Sequence, residues 1–192
     1  MIQRRTLLLA SGTGFTLTLV GCSGMATKGS DADPAAKRQQ IDSAVDSALS
    51  NLYAKAAGSK ALVDKAQGVL VIPKVVTAGL VIGGSYGQGA LRKHGVTAGY
   101  YSVGSGSVGL LAGAEEKSIY MLFMNAESLA KFENSKGWTA GADASVSLAD
   151  MGAAASIDTR TAQQPIIGFV ISNAGLMANL SLDGTKFNKL DL

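Results

Sequence analysis

Apolar residues recur at three- and four-residue spacing through Ile41, Val45, Ala48, Leu49, Leu52 and Ala56. This is the period of one helix face, and it predicts an amphipathic helix over about 35–57. Asp33-Pro34 supplies an N-cap with Pro at the first helical position, and Gly58 stands where the helix must stop. The polar face (Lys37, Arg38, Asp42, Asp46, Asn51, Lys55) mixes signs. Interfacial helices usually carry a one-sided basic face, so the composition favours docking on the domain's own core. A shorter helix follows, with Ser59 as its cap and Ala61, Leu62, Val63 and Ala66 as its apolar residues.

From Gly68 the pattern changes to strands. Val69–Ile72 is a compact buried run closed by Pro73. Strand-like segments continue at Val75–Ile82, Ser85–Leu91, Val96–Val103, Ser107–Ala114 and Ser118–Met124. Asn125 caps a helix over Ala126–Phe132, and Gly137-Trp138 opens further strands to the C-terminus. Of the 24 glycines, 12 lie between residues 66 and 113. Glycine inside strands marks bulges, bends and close backbone approach, so this density predicts a strongly coiled sheet. The fold class expected is α+β: a mainly antiparallel, glycine-rich, barrel-like sheet with an N-terminal amphipathic helix and a short mid-chain helix.

The N-terminus follows a different logic. Arg4 and Arg5 precede an uncharged run from Thr6 to Val20 that ends at Gly21-Cys22. A charged start, a short apolar run and a small residue at the cut describe a secretory signal peptide, and the run is short of the ~20 residues of a membrane-spanning helix. Leu19-Val20-Gly21-Cys22 resembles the lipobox of bacterial lipoproteins, in which the Cys becomes the acylated first residue. The expected organisation is a signal peptide with lipobox over 1–21, a flexible tether over 22–36 and a single domain over 37–192. Ser23 after the Cys resembles lipoproteins sorted to the outer membrane. The expected location is therefore its periplasmic face, reached by Sec or Tat export.

Charge and chemistry narrow the reading. The chain of 192 residues holds 17 Lys+Arg and 14 Asp+Glu, a net charge of +3. Removing Arg4 and Arg5 with the signal leaves 15 basic and 14 acidic groups. Residues 65–114 hold Lys65, Lys74, Arg92 and Lys93 and no acid. If those four cations shared a face, they would dock on anionic headgroups at about 1 kcal/mol each. One Cys and one His exclude a disulfide framework and a multi-histidine or cysteine metal cluster, so no cofactor is expected. Gly104–Gly109 spells G-x-G-x-x-G and Gly83–Gly87 spells G-x-S-x-G. Neither leads into a helix, neither is served by an acid at the right distance, and the lone His94 sits in a turn-like Arg92-Lys93-His94-Gly95 run. An enzyme is not expected. The aromatic content of 6% is thin for stacking single-stranded nucleic acid, so no nucleic acid partner is expected.

One ordered series of motifs is more specific than any of these. Ala66–Pro73, Ala78–Gly84 with Gly87 and Gly89, Ser105–Gly113, Trp138–Ser145, Ser172–Met177 and Leu180–Thr185 together resemble a SYLF domain of the Ysc84 type over about residues 45–190. Leu111 replaces a Gln common in that family, and Arg92–Gly95 replaces a longer loop. The resemblance implies a non-catalytic lipid-binding module that takes phosphoinositides in eukaryotic members and associates with actin in a yeast branch. Bacterial members are mostly lipoproteins or exported proteins. The function expected is a lipoprotein, anchored through Cys22, that binds anionic lipid headgroups through Lys65, Lys74, Arg92 and Lys93. The alternative is an envelope assembly protein that binds a protein partner and touches lipid only through its acylated Cys.

Overall fold

The computed structural model describes residues 33–79, 82–108, 113–149, 163–173, 175–177 and 181–192. The expected signal peptide, Cys22 and most of the expected tether lie outside the described residues, as does Leu111. The compact unit is Ala32–Leu192.

Helix α1 runs Pro34–Lys55 and α2 runs Ser59–Lys65. The Asp33 carboxylate accepts from the Ala35 amide at 3.1 Å, and Pro34 spends its missing N–H where the helix has no use for one. Gly58, at φ 81°, is the N-cap of α2, and only a glycine enters that left-handed region without cost. Ser59 is not the cap expected from the sequence. Its buried hydroxyl turns back to the Leu52 carbonyl at 3.3 Å and closes the end of α1 instead.

The strands are β1 Gly68–Gly79, β2 Ile82–Lys93, β3 Val96–Val108, β4 Gly113–Phe123, β5 Trp138–Thr139, β6 Ser147–Leu148, β7 Ile166–Ser172, β8 Gly175–Leu176 and β9 Lys186–Leu190. Helix α3, Ala126–Asn134, separates β4 from β5, and the Asn125 side chain caps it on the Ser128 amide at 2.8 Å. The sheet order is β5-β9-β3-β2-β1-β4-β7-β6, with β8 on β7. All pairs are antiparallel except β6 with β7, and the sheet curls into a half-barrel. The α+β expectation holds.

Two details of the strand reading change. Pro73 does not end a strand. Strand β1 runs through it, with a register shift between Val71 and Lys74 against β2 and between Ile72 and Val75 against β4, which is where a strand tolerates a residue with no N–H. The Pro73 carbonyl accepts from the Ser118 hydroxyl at 2.7 Å. Nor is Ser107–Ala114 one strand: β3 continues to Val108, and β4 begins at Gly113. The glycines of β2 explain how the bulge fits. A Cβ on Gly89 would fall 1.8 Å from the Val71 carbonyl oxygen, so β1 and β2 approach this closely only over glycine.

The two sheet faces carry separate cores. On the inner face, Leu70, Ile72, Leu91, Ile119, Met121 and Phe123 meet α3 and the C-terminal strands. Phe132 of α3 is the hub: its ring lies 4.9 Å from Tyr101 and from Phe123, 5.6 Å from Trp138 and 6.3 Å from Phe187. On the outer face, Ile41, Val45, Ala48 and Leu52 of α1 cover Val69, Val71, Tyr120, Leu122 and Phe169. Burying Ile41, Val45 and Leu52 contributes about 5–9 kcal/mol, enough to hold α1 on its own domain. The buried Tyr120 hydroxyl donates to the Ala48 carbonyl at 2.9 Å and fixes the helix along its length. Strands β4 and β7 are covered on both faces. That is why Ile119–Phe123 and Ile166–Ile171 read as unbroken apolar runs.

Candidate functional site

The four cations singled out in the sequence separate in space. Lys65 lies exposed in the last turn of α2. Lys74 stands on the outer face of β1 with its ammonium 2.5 Å from Glu116 of β4, both side chains being half exposed or more. Arg92 pairs with Val69 of β1 and turns to the outer face, where its guanidinium lies 2.8 Å from the Asp46 carboxylate and 3.5 Å from that of Asp42. Lys93, one residue on, points to the opposite face and meets Glu133 of α3 at 2.7 Å. Lys74 is beside Gln88, four residues along β2 from Arg92, about 13 Å away. The tertiary structure thus supplies acids from α1, β4 and α3 to a stretch of chain that has none of its own.

Arg92 serves α1 most directly. Its side chain is only 13% exposed. Asp42 also accepts from the Thr97 hydroxyl at 2.7 Å and the Tyr100 hydroxyl at 2.9 Å, so one carboxylate ties the helix to β2 and β3. Burial, followed by the bond to Asp42, raises the Tyr100 phenol above its ordinary range. The β2–β3 turn beside this network is His94-Gly95, with φ 49° and 82°, the positive pair that a two-residue hairpin turn requires. His94 is exposed there, as its sequence context indicated, and it borders a cavity of about 320 Å³ between the turn, α1 and α2. Trp138 is 2% exposed and belongs to the inner core.

Sequence reasoning missed the far end of the sheet. Neither Val75–Leu91 nor Val96–Ala114 carries a charged residue. Counting only acids made this region look basic; counting both signs shows two charge-free stretches with cations at their margins, beside which β4 brings Glu116 next to Val76. Strand pairing brings the two stretches together. On the outer face, beyond the cover of α1, Val76 pairs directly with Tyr86, and Ile82 lies on the same face four residues along β2. They are 36%, 57% and 76% exposed. Gly104, opposite Tyr86, and Gly106, opposite Gly84, leave the adjoining surface flat. The signal that could have found this patch was the joint absence of both charges over two strands that pair.

The two glycine-rich motifs resembling nucleotide and nucleophile loops begin within β3 and β2, and neither opens a helix. Among the described residues, no group of three or more His, Cys, Asp or Glu is placed to hold a metal. No described helix is long and apolar enough to cross a membrane. No curated protein matches the chain. Residues 104–191, from the far half of β3 through β9, match the family model described as Ysc84: Las17-binding protein actin regulator, the family to which the SYLF-type motifs pointed.

Proposed function

We propose that the chain is a membrane-tethered, lipid-binding domain that acts by binding and not by catalysis. Cys22 would be acylated and would hold it at the periplasmic face of the outer membrane. The observation that carries lipid contact is the exposed Val76–Tyr86–Ile82 corner, where β1 beyond Lys74 and β2 before Arg92 carry no charge and Glu116 of β4 borders Val76. An apolar surface with an aromatic rim suits the interfacial layer of a bilayer, where Tyr is favoured. The SYLF resemblance and the family match over residues 104–191 support the same class of ligand. Of the four cations, Lys65 and Lys74 are the more exposed; to meet anionic headgroups Lys74 would have to leave Glu116, and Arg92 and Lys93 would have to leave Asp46 and Glu133.

The test is co-sedimentation of residues 30–192, which include both hydrophobic layers, with neutral phosphatidylcholine vesicles and with vesicles containing phosphatidylglycerol. Binding is expected to both, stronger to the anionic vesicles and weakened there by salt. Lys65→Glu with Lys74→Glu should remove the anionic preference. Absence of sedimentation with either vesicle, together with crosslinking to a defined envelope protein, would replace this reading with the assembly-protein one.

A further inference from the structure

The inner face of the same sheet end has the opposite character. Ser105 pairs with Ser85, Ser85 with Thr77, and Thr77 with Glu115, so four polar residues fall on one rung across β3, β2, β1 and β4. They share the face of Val103 and Val75, two residues nearer the core, and line one cleft of about 270 Å³. The Thr77 and Ser85 hydroxyls lie 2.7 Å apart, and Thr77 is only 8% exposed. The facing wall comes from the segment before β9, with Asp183 and Thr185. The floor is apolar, and Leu182 closes it from the side of β9.

This lining is unusual for a strand end. A row of hydroxyls on an inward face gives up packing that Val or Ile would supply, and half-buried polar groups need partners. Hydroxyls both donate and accept, while the Glu115 and Asp183 carboxylates only accept, and two oxygens on one carboxylate suit two neighbouring hydroxyl donors. Charges lining the cleft are Glu115, Asp183 and Lys117, one more negative than positive, which disfavours a phosphate. An apolar floor suits the C–H face of a ring. The volume lies at the small end for ligand pockets, the size of a single ring.

We propose that this cleft binds a neutral polyhydroxylated ring, a sugar or cyclitol, free or as the head of a glycolipid. The ring's hydroxyls bond to Thr77, Ser85, Ser105 and Glu115, and its C–H face turns toward the apolar base of the cleft, where Val75 and Val103 are buried. The inference is independent of the lipid-binding proposal, because it uses the opposite face of the sheet and none of the cations assigned there.

Saturation-transfer NMR on the full chain tests it, with glucose, N-acetylglucosamine and myo-inositol as neutral probes and inorganic phosphate competing. At least one neutral probe should receive saturation, undiminished by phosphate. Glu115→Gln and Ser105→Ala should each weaken that probe by about tenfold. Ser105→Ala sits at a half-buried surface position and keeps the fold, checked by unchanged Trp138 emission. Phosphatidylcholine vesicles carrying a glucosyl diacylglycerol form a second arm: capture above that by plain phosphatidylcholine vesicles, lost in both variants, also supports the cleft and identifies a lipid-borne source. No transfer from any probe up to tens of millimolar, together with no extra capture due to the glycolipid, overturns the proposal. So does loss of transfer on adding phosphate, or transfer or capture that both variants leave unchanged.

Discussion

The two ends of the same strands were built to different rules. At the near end, β1, β2 and β4 carry Leu70, Ile72, Leu91, Met121 and Phe123 inward and Val69, Val71 and Leu122 outward, and both faces are covered. At the far end, β1 and β2 carry glycine, serine and threonine inward and Val76, Ile82 and Tyr86 outward, while β4 adds Glu115 and Lys117 inward and Glu116 outward. The backbone ladder crosses both ends without a break apart from the bulge at Pro73 and the shift at Leu91/Arg92. Hydrogen bonding therefore extends the sheet past its core, and the surfaces beyond the core are free to meet something else. The difference separates residues that hold the fold from residues available for recognition.

The sharpest way to break the near end is at the aromatic hub. Phe132→Ala leaves Tyr101, Phe123 and Trp138 without their common neighbour, and an unfolding free energy lower by about 3–5 kcal/mol is expected in a denaturant titration. A loss under 1 kcal/mol would mean that α3 does not organise that core. Gly89→Ala comes next, at about 2–3 kcal/mol, because its Cβ must push β1 and β2 apart at Val71. Full stability in that variant would show that the bulge relaxes freely.

The latch on α1 is weaker. Asp42→Ala removes the acceptor shared by Thr97, Tyr100 and Arg92, and it should cost about 1–2 kcal/mol, the group being part-exposed. Adding Arg92→Met should cost less than the sum of the two single losses, since both substitutions remove parts of one network around Asp42, while Asp46 holds Arg92 in the single variant. Additive losses in the double variant would count against the latch.

Alkaline pH probes the near end without mutation. Burial first, with Glu133 adding, pushes the Tyr101 phenol up to about 12, from an ordinary 10.0. The unfolded chain gives up this proton more readily. The stabilisation from the neutral phenol is thus complete below pH 10 and is lost as the pH rises from about 10 to about 12. Phenolate absorbance followed alongside circular dichroism should show the Tyr101 signal, isolated by comparison with Tyr101→Phe, appearing only as the fold is lost. Ionisation near pH 10 with the fold intact would contradict the burial argument.

The smallest stability effect belongs to the far end. Ile82→Ser and Tyr86→Ser should each change unfolding free energy by less than about 0.5 kcal/mol while lowering vesicle co-sedimentation several-fold. Equal damage to stability and binding would erase the contrast between the two ends.

Local signals in the sequence were legible wherever short-range physics decides the outcome. The Asp33 cap, the helix stripe from Ile41 to Leu52, the Asn125 cap and the buried runs of β4 and β7 all follow from periodicity and neighbouring side chains. Pro73 and Ser59 were misread because their roles depend on what lies opposite: a bulge fitted over Gly89 in one case, the end of α1 in the other.

By itself, then, the sequence determined an α+β domain with α1 docked on a glycine-rich sheet, and it marked the segment around residues 65–114 as unusual. Only the tertiary structure decided what that segment presents. Strand alternation sent Arg92 and Lys93 to opposite faces, and packing brought Asp46, Glu116 and Glu133 to three of the four cations. Pairing of distant strands then gathered three hydroxyls and a carboxylate onto one rung and left three apolar side chains exposed behind it. Charge counted along a chain is one-dimensional, and a binding surface is assembled from residues far apart in sequence.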